Sequence, residues 1–217
     1  MKPKILFWLS NDHTHFCISY YMQKLYDCDL YGIIDIPHKQ KNFFDKQNLV
    51  DIKKKWYTFD HILKKHKTDV NYLEKFQNKY NINLWSLAIN ERLFYRFNFQ
   101  NFKSDEILSI LEQECRLFEK ILDEVNPDFL ITKWASRHYH QLLIELCKKR
   151  GIKILQLGQP KIGYKMLISE NPAKFDGIKN LDHISSKNRD FSELQNFVKK
   201  FSMTKNQKEF DSKKQSK

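Results

Sequence analysis

Residues 104–158 carry the sequence SDEILSILEQECRLFEKILDEVNPDFLITKWASRHYHQLLIELCKKRGIKILQLG, which predicts helix, strand, helix and strand in that order. Apolar residues recur every three or four positions through 107–125, the spacing of one helix face. The Asn-Pro pair that follows ends this helix, because the residue before a proline is pushed out of the α region. Residues 129–132 and 152–157 are short apolar runs without polar alternation, as expected of strands buried on both faces. This order predicts a parallel sheet covered by helices.

Serine residues are predicted to cap both helices of this stretch. Ser104 and Ser136 each precede a periodic apolar segment, and a serine hydroxyl can accept a hydrogen bond from a backbone N–H of the first turn. The second helix is expected from about Ser136 to Arg150, with Gly151 ending it.

The beginning of the chain predicts a second unit of strand, helix and strand. Residues 4–10 and 30–35 are apolar strand-like runs, and a helix is expected between them at 15–26. A third, edge-like strand is expected near 56–59. We therefore predict an α/β fold, a Rossmann-like, doubly wound parallel sheet with flanking helices in a single domain.

The predicted domain organisation has three parts. Residues 1–180 form the α/β domain, 181–201 a C-terminal helical segment, and 202–217 a disordered, lysine-rich tail. Deleting this tail is expected to cost less than about 1 kcal/mol of stability.

Composition narrows the class of protein. Hydrophobic residues make up 41% of the 217 residues, enough for a packed core. The apolar run at 5–9 is too short for a signal peptide or a membrane span, so we expect a cytoplasmic protein, with peripheral association at the inner face of the membrane left open. Four scattered cysteines without a CxxC pair predict reduced thiols.

The formal net charge of +12 allows three interpretations. The lysines can simply form solvated faces, they can bind an anionic surface or substrate, or they can bind nucleic acid. The sequence contains no recognisable nucleic-acid-binding module, which disfavours the third interpretation.

Parallel α/β sheets place their sites at the carboxyl ends of the strands, which directs attention to two segments. The first, 11–15, follows the first strand; Asn11 is a candidate substrate ligand, and Asp12 or His13 is a candidate catalytic base. The alternatives are a helix cap with solvent-facing histidines, or a metal site that lacks a convincing further ligand. No metal is therefore predicted.

The second segment follows the strand at 129–132. Its candidate substrate-binding residues are Lys133, Ser136, Arg137 and His138, which can hold a phosphate or a sugar hydroxyl. The alternative is a capped, solvated helix start. Gln159 is expected to line the same cleft, opposite Asp12 and His13.

Nucleotide-binding motifs are absent from the sequence. The chain has five glycines, and neither a GxGxxG turn nor a GxxxxGK[ST] loop occurs. A dinucleotide-dependent dehydrogenase and a P-loop enzyme are excluded on this ground, and no cofactor is predicted. The Glu91-Arg92 pair is interpreted as a structural ion pair in preference to a catalytic one.

Several segments resemble the amino-terminal half of capsule and surface polysaccharide biosynthesis proteins. They are YNINLW at 80–85 with Glu91-Arg92, FEKILDEVNPDFLI at 118–131 and KKRGIKILQLG at 148–158. These proteins are similar to glycosyltransferases built from two Rossmann domains (the GT-B type), and the likeness covers about 4–180.

The resemblance implies a sugar transfer between two domains. The amino-terminal domain of that architecture holds the acceptor and often the base, whereas the carboxyl-terminal domain binds the nucleotide-sugar donor. No second set of strand and helix units follows residue 180, so the chain is expected either to be a fragment or truncated product or to work with a separate donor-binding domain or chain. The expected acceptor is a glycan or lipid-linked molecule. The alternative function is a non-enzymatic basic module that binds nucleic acid or an acidic glycan.

Overall fold

The computed structural model describes residues 2–37, 41–62, 66–91, 94, 102–158, 166–171 and 190–201. The chain divides into two compact units, Met1–Gln156 and Leu157–Lys217. Gln159, Arg92 and the tail 202–217 lie outside the described residues, so the predictions for them stay predictions.

The elements of the described chain follow the predicted order closely. The strands are β1 (Lys4–Ser10), β2 (Asp29–Asp35), β3 (Ile52–Tyr57), β4 (Phe129–Lys133), β5 (Lys153–Gly158) and β6 (Leu167–Ser169). The helices are α1 (Thr14–Leu25), α2 (Lys41–Lys46), α3 (Thr58–His61), α4 (Val70–Tyr80), α5 (Leu84–Ile89), α6 (Ser104–Val125), α7 (His138–Lys149) and α8 (Phe191–Phe201).

The sheet of the first unit has the order β3-β2-β1-β4-β5. Strand β1 pairs in parallel with both β2 and β4, and β2 pairs in parallel with β3. The predicted fold class is confirmed: the chain is α/β with a largely parallel sheet between helices. Strand β3 lies at the edge as predicted, but it spans Ile52–Tyr57, and the second half of the predicted strand 56–59 belongs to helix α3. The chain reverses its direction of travel across the sheet between β1 and β4, which makes this the switch point.

Strand β1 is buried on both faces. Leu6 and Trp8 belong to the core that packs against α4, α6 and α7. The alternate residues Phe7 and Leu9 are equally buried and point to the other face of the sheet. Helix α1 contacts β1 and β2. This two-sided burial explains why the strand has no polar alternation.

The turn between α6 and β4 fixes the register of the central strands. Asn126 takes the left-handed conformation at φ 47°, which ends the helix. The Asp128 carboxylate accepts a hydrogen bond from the Lys4 backbone N–H at 2.8 Å, and the Asp128 N–H donates to the Lys4 carbonyl at 2.9 Å. The start of β4 is thereby tied to the start of β1.

The predicted serine caps are wrong. Ser104 is the first residue of α6, and the Lys103 N–H before it donates to the Glu106 carboxylate at 2.8 Å. Helix α7 begins only at His138, so Ser136 lies in the preceding loop and Arg137 occupies the N-cap position without a side-chain cap. A carboxylate accepts a backbone N–H at each helix start: that of Glu106, in the first turn of α6 itself, and for α7 that of Glu91, 47 residues away along the chain.

The second unit is described only in part. It contains the end of β5, the short strand β6 and helix α8, and α8 lies within the segment 181–201 that the sequence assigns to a helix. The predicted cysteine state also agrees, since all four thiols are free and Cys115 and Cys147 are buried.

Gly32 offers a test of the packing at the centre of the sheet. A Cβ at this position would lie 3.1 Å from Leu9 Cδ1 and 3.5 Å from Ile52 Cγ2. We expect Gly32→Val to lower the free energy of unfolding by about 1–3 kcal/mol, because the added carbons overpack the core. Urea unfolding followed by circular dichroism measures this change.

The matched control is Gly151→Asn. Gly151 has a φ of +70° but no atom within 4 Å of an added Cβ, and asparagine tolerates the left-handed conformation. Gly151→Asn should lower the free energy of unfolding far less than Gly32→Val does. Equal losses in the two variants would show that β2 is not closely packed against Leu9.

Candidate functional site

The carboxyl ends of β2, β3 and β4 bring together a carboxylate, hydroxyl groups and a cation. Asp35 ends β2, and its carboxylate accepts hydrogen bonds from Tyr139 Oη at 3.2 Å and from Thr58 Oγ1 at 3.3 Å. Lys133 ends β4 and lies close enough to Asp35 for its charge to act on the carboxylate. We name these four residues the carboxyl edge: Asp35, Thr58, Lys133 and Tyr139.

Asp35 has the environment of a group that exchanges protons. Burial raises the pKa of its carboxyl, while the Tyr139 hydrogen bond and the charge of Lys133 oppose that rise. Burial also raises the pKa of Tyr139, which therefore stays a hydrogen-bond donor to Asp35. A partly buried carboxylate at the end of a central strand can accept a proton from a bound hydroxyl group.

A buried ionic cluster lies at the beginning of α7. The two ring nitrogens of His138 contact two carboxylates, with Nδ1 2.7 Å from Glu91 Oε2 and Nε2 2.9 Å from Glu114 Oε1. All three residues are buried. Arg137 Nη1 donates to the other oxygen of Glu91 at 3.3 Å. We name these residues the Glu91 cluster: Glu91, Glu114, Arg137 and His138.

The geometry makes His138 a cation. Each ring nitrogen faces a carboxylate oxygen, and an ionised carboxylate can only accept, so both nitrogens carry a proton when Glu91 and Glu114 are ionised. Burial lowers the pKa of His138, but the two carboxylates outweigh burial and raise it to about 9. Burial raises the pKa of Glu114, and the second oxygen of its carboxyl group has no hydrogen-bond partner among the described residues. Because the cluster pairs two carboxylates with two cations, it carries little net charge.

Arg137 also lines an open groove on the side of the first unit. The groove lies between α5, α7 and the loop that precedes α7, and its volume is about 490 Å³. We name it the Arg137 groove. Polar residues dominate its lining: Asn81, Asn83, Ser86, Asn90, Glu91, Ser136, Arg137, His138, Gln141 and Glu145.

Two further histidines are buried near the same strand ends. His15 and His140 are 4% and 1% exposed, and no ring nitrogen of either has a well-formed hydrogen bond within the described part of the chain. Burial lowers the pKa of both, that of His140 to about 2, and the charge of Lys133 adds to this effect. The His140 ring packs edge-on against Trp8 at 4.5 Å. Both histidines are therefore neutral, and the positive charge of Lys133 acts on each of them.

The residues predicted after β1 lie in a different concavity. Asn11 and His13 line a space of about 410 Å³ together with Phe43 and Phe44, and the His13 ring lies 4.6 Å from that of Phe43. Asp12 lies just before the N-cap residue of α1, and its Oδ1 accepts a hydrogen bond from the Thr14 N–H at 3.0 Å.

The predicted cleft residues are thus divided among three places. The concavity that contains His13 and the Arg137 groove share no lining residue. Ser136, Arg137 and His138 line the groove, whereas Lys133 lies at the carboxyl edge. The Asp12 charge does reach His15, as does that of Lys133, so the ends of β1 and β4 are close neighbours. A catalytic role of Asp12 or His13 stays a prediction.

His138 differs from its predicted role. The sequence suggested that its ring holds a ligand, but both ring nitrogens and the backbone N–H of His138 contact carboxylates of the chain. The backbone N–H at the amino end of α7 likewise donates a hydrogen bond to Glu91. A phosphate bound there would have to displace a buried carboxylate.

Sequence reasoning missed five residues of the site: Asp35, Thr58, Glu91, Glu114 and Tyr139. Asp35 could have been found, since it ends a predicted strand on the functional side of the sheet. Glu114 could have been suspected as a charged residue among apolar positions of α6. Nothing in the sequence places Glu91 beside His138, because the contact joins residues 47 positions apart.

The described residues contain no group of histidine, cysteine and acidic side chains that could hold a metal ion. Helix α6 is the longest helix of the described chain at 22 residues, and no described helix combines the length and apolar character needed to cross a membrane. Comparison with protein-family models, curated proteins and solved structures finds no match to this chain.

The charge of His138 leads to a pH test. Because its pKa is raised from 6.5 to about 9, its stabilising effect is complete below pH 6.5 and is lost as the pH rises to 9. The shift corresponds to about 3 kcal/mol at 1.36 kcal/mol per unit. We expect the unfolding free energy to fall across this window in the wild type and to change much less in His138→Gln.

His66→Gln is the matched control. His66 Nε2 also contacts a glutamate, Glu112, at 3.0 Å, but its side chain is 33% exposed. Urea unfolding of the three proteins at several pH values between 6.5 and 9 gives the slope of unfolding free energy against pH for each. A wild-type slope in His138→Gln would show that the buried cluster does not hold an imidazolium.

Proposed function

We propose that this chain is the acceptor-binding half of a glycosyltransferase-like protein in surface or capsular polysaccharide biosynthesis. It would act with a separate donor-binding domain or chain on a glycan or lipid-linked acceptor. A lipid-linked acceptor is consistent with a cytoplasmic protein that works at the inner face of the membrane.

The carboxyl edge is the observation that carries this proposal. Asp35 offers a partly buried carboxylate that can accept the proton of an acceptor hydroxyl, and Tyr139 and Thr58 hold it in place. Lys133 provides a positive charge beside it, which suits an acceptor bearing a carboxylate or phosphate. A nucleophilic hydroxyl, a base and a nearby cation are the groups that an acceptor site needs.

Two features of the described residues disfavour a nucleotide-sugar donor site and support the same division of labour. The turn after β1, residues 11–13, contains no glycine, so a pyrophosphate cannot approach the backbone as in dinucleotide-binding folds. The backbone N–H of His138 at the start of α7 donates to Glu91. We therefore expect nucleotide-sugars to bind the isolated chain more weakly than about 100 μM, or 5.5 kcal/mol. Tighter binding in calorimetry would contradict the proposed half-enzyme.

Binding of oligosaccharides tests the acceptor site. We expect an acidic oligosaccharide, carrying uronate or phosphate groups, to bind the wild-type chain. Lys133→Met should weaken this binding at least about tenfold, or 1.4 kcal/mol, because a charge-assisted contact is lost. Asp35→Asn should leave binding nearly unchanged, since the amide oxygen still accepts one of the two hydrogen bonds and the amide NH2 can donate to the other hydroxyl. It should abolish transfer once a donor-binding partner is supplied.

Lys75→Met is the control, because it removes the same charge from an exposed position on α4. Unequal effects of Lys133→Met and Lys75→Met support a specific site. Equal, small effects together with a steep salt dependence of binding to generic DNA would favour the basic-module alternative instead.

A further inference from the structure

We infer that the Arg137 groove is a second carbohydrate site, which binds a neutral, hydroxyl-rich stretch of a glycan. This inference rests on the proposed function in that the same glycan would also reach the carboxyl edge. The two sites are connected through the chain itself, because β4 ends at Lys133 and the loop 134–137 then lines the groove.

The size of the groove suits a saccharide. Its volume of about 490 Å³ lies inside the usual range of about 300–1,000 Å³ for small-molecule sites. It is open along one side, which allows a chain to pass through it. It therefore differs from a closed pocket for a single small metabolite.

The groove offers both donors and acceptors of hydrogen bonds. Gln141 uses its Nε2 to bond Glu145 at 2.7 Å, and Asn90 uses its Nδ2 to bond the Ser86 carbonyl at 2.8 Å. Within the described residues, the amide oxygens of both side chains remain as acceptors. Among the residues that the structure describes, Arg137 bonds Glu91 through Nη1 alone, which leaves its other N–H groups as donors. A sugar hydroxyl donates and accepts at once, so this mixture matches it.

The balance of charge in the groove selects a neutral ligand. Arg137 faces Glu91, and Glu145 accepts a hydrogen bond from Lys148 at 2.9 Å. Arg137 and Lys148 are thus each paired with a carboxylate that lines the groove. A phosphate or a nucleic-acid backbone would meet these carboxylates and gain little net attraction. A neutral sugar meets no such repulsion.

The walls of the groove are held in place before any ligand arrives. Asn83 Oδ1 accepts from the Ser86 N–H at 2.9 Å and caps α5, while the Glu91 cluster fixes the start of α7. Preordered walls lower the entropic cost of binding a flexible glycan. The groove is therefore suited to binding and not only to covering the core.

Neutral oligosaccharides of glucose, galactose and N-acetylglucosamine are the probes for this site. We expect at least one of them to bind the full chain in calorimetry, and Gln141→Leu to weaken it at least tenfold. Ser136→Tyr, which fills the groove from its exposed rim, should have the same effect. Asn78→Leu, on the exposed side of α4, is the control and should change nothing. Thermal unfolding confirms that each variant is folded.

The outcomes separate this inference from the proposed function. The groove inference is wrong if no neutral probe binds, or if neither groove variant weakens the binding of a neutral probe. The effect of Lys133→Met on the binding of acidic probes still tests the acceptor site in that case. Loss of neutral-probe binding in the groove variants supports the groove inference. Normal binding of acidic probes by Lys133→Met overturns the proposed acceptor site.

Discussion

The side chain of Glu91 holds the functional side of this protein together. One carboxylate accepts hydrogen bonds from the backbone N–H and the ring of His138 and from the Arg137 guanidinium. His138 in turn contacts Glu114 on α6. The segment after α5 is thereby joined to α6 and α7 through buried charges. Removing one partner of such a cluster typically costs about 3–5 kcal/mol, because the remaining charge is left buried and unpaired.

This interaction also determines which chemistry the site can perform. With the first N–H of α7 and both ring nitrogens of His138 bonded within the chain, the helix start no longer offers a general anion site. Arg137 is held at the groove, and Lys133 remains as the cation beside Asp35. The result is a division between an edge that can bind charge and accept a proton and a groove that suits neutral hydroxyl groups.

The sequence predicted the scaffold better than the site. Apolar runs such as those of β1 and β4 and the turn at Asp128 depend on local patterns, so strand order and parallel pairing could be anticipated. Lys133 and Arg137 were found because they follow a predicted strand. Glu91 could not be placed, because its contacts depend on tertiary packing across 47 residues. The same packing explains why Ser136 does not cap α7.

A crystal structure of the chain with a bound acidic oligosaccharide tests the central claim most directly. We expect electron density for the glycan at the carboxyl edge, with a sugar hydroxyl within hydrogen-bond distance of Asp35 and an acidic group beside Lys133. A neutral stretch of the same glycan should lie along Arg137 and Gln141. A glycan seated instead at the amino ends of the strands, near Lys2 and Asp29, would contradict the assignment of the site.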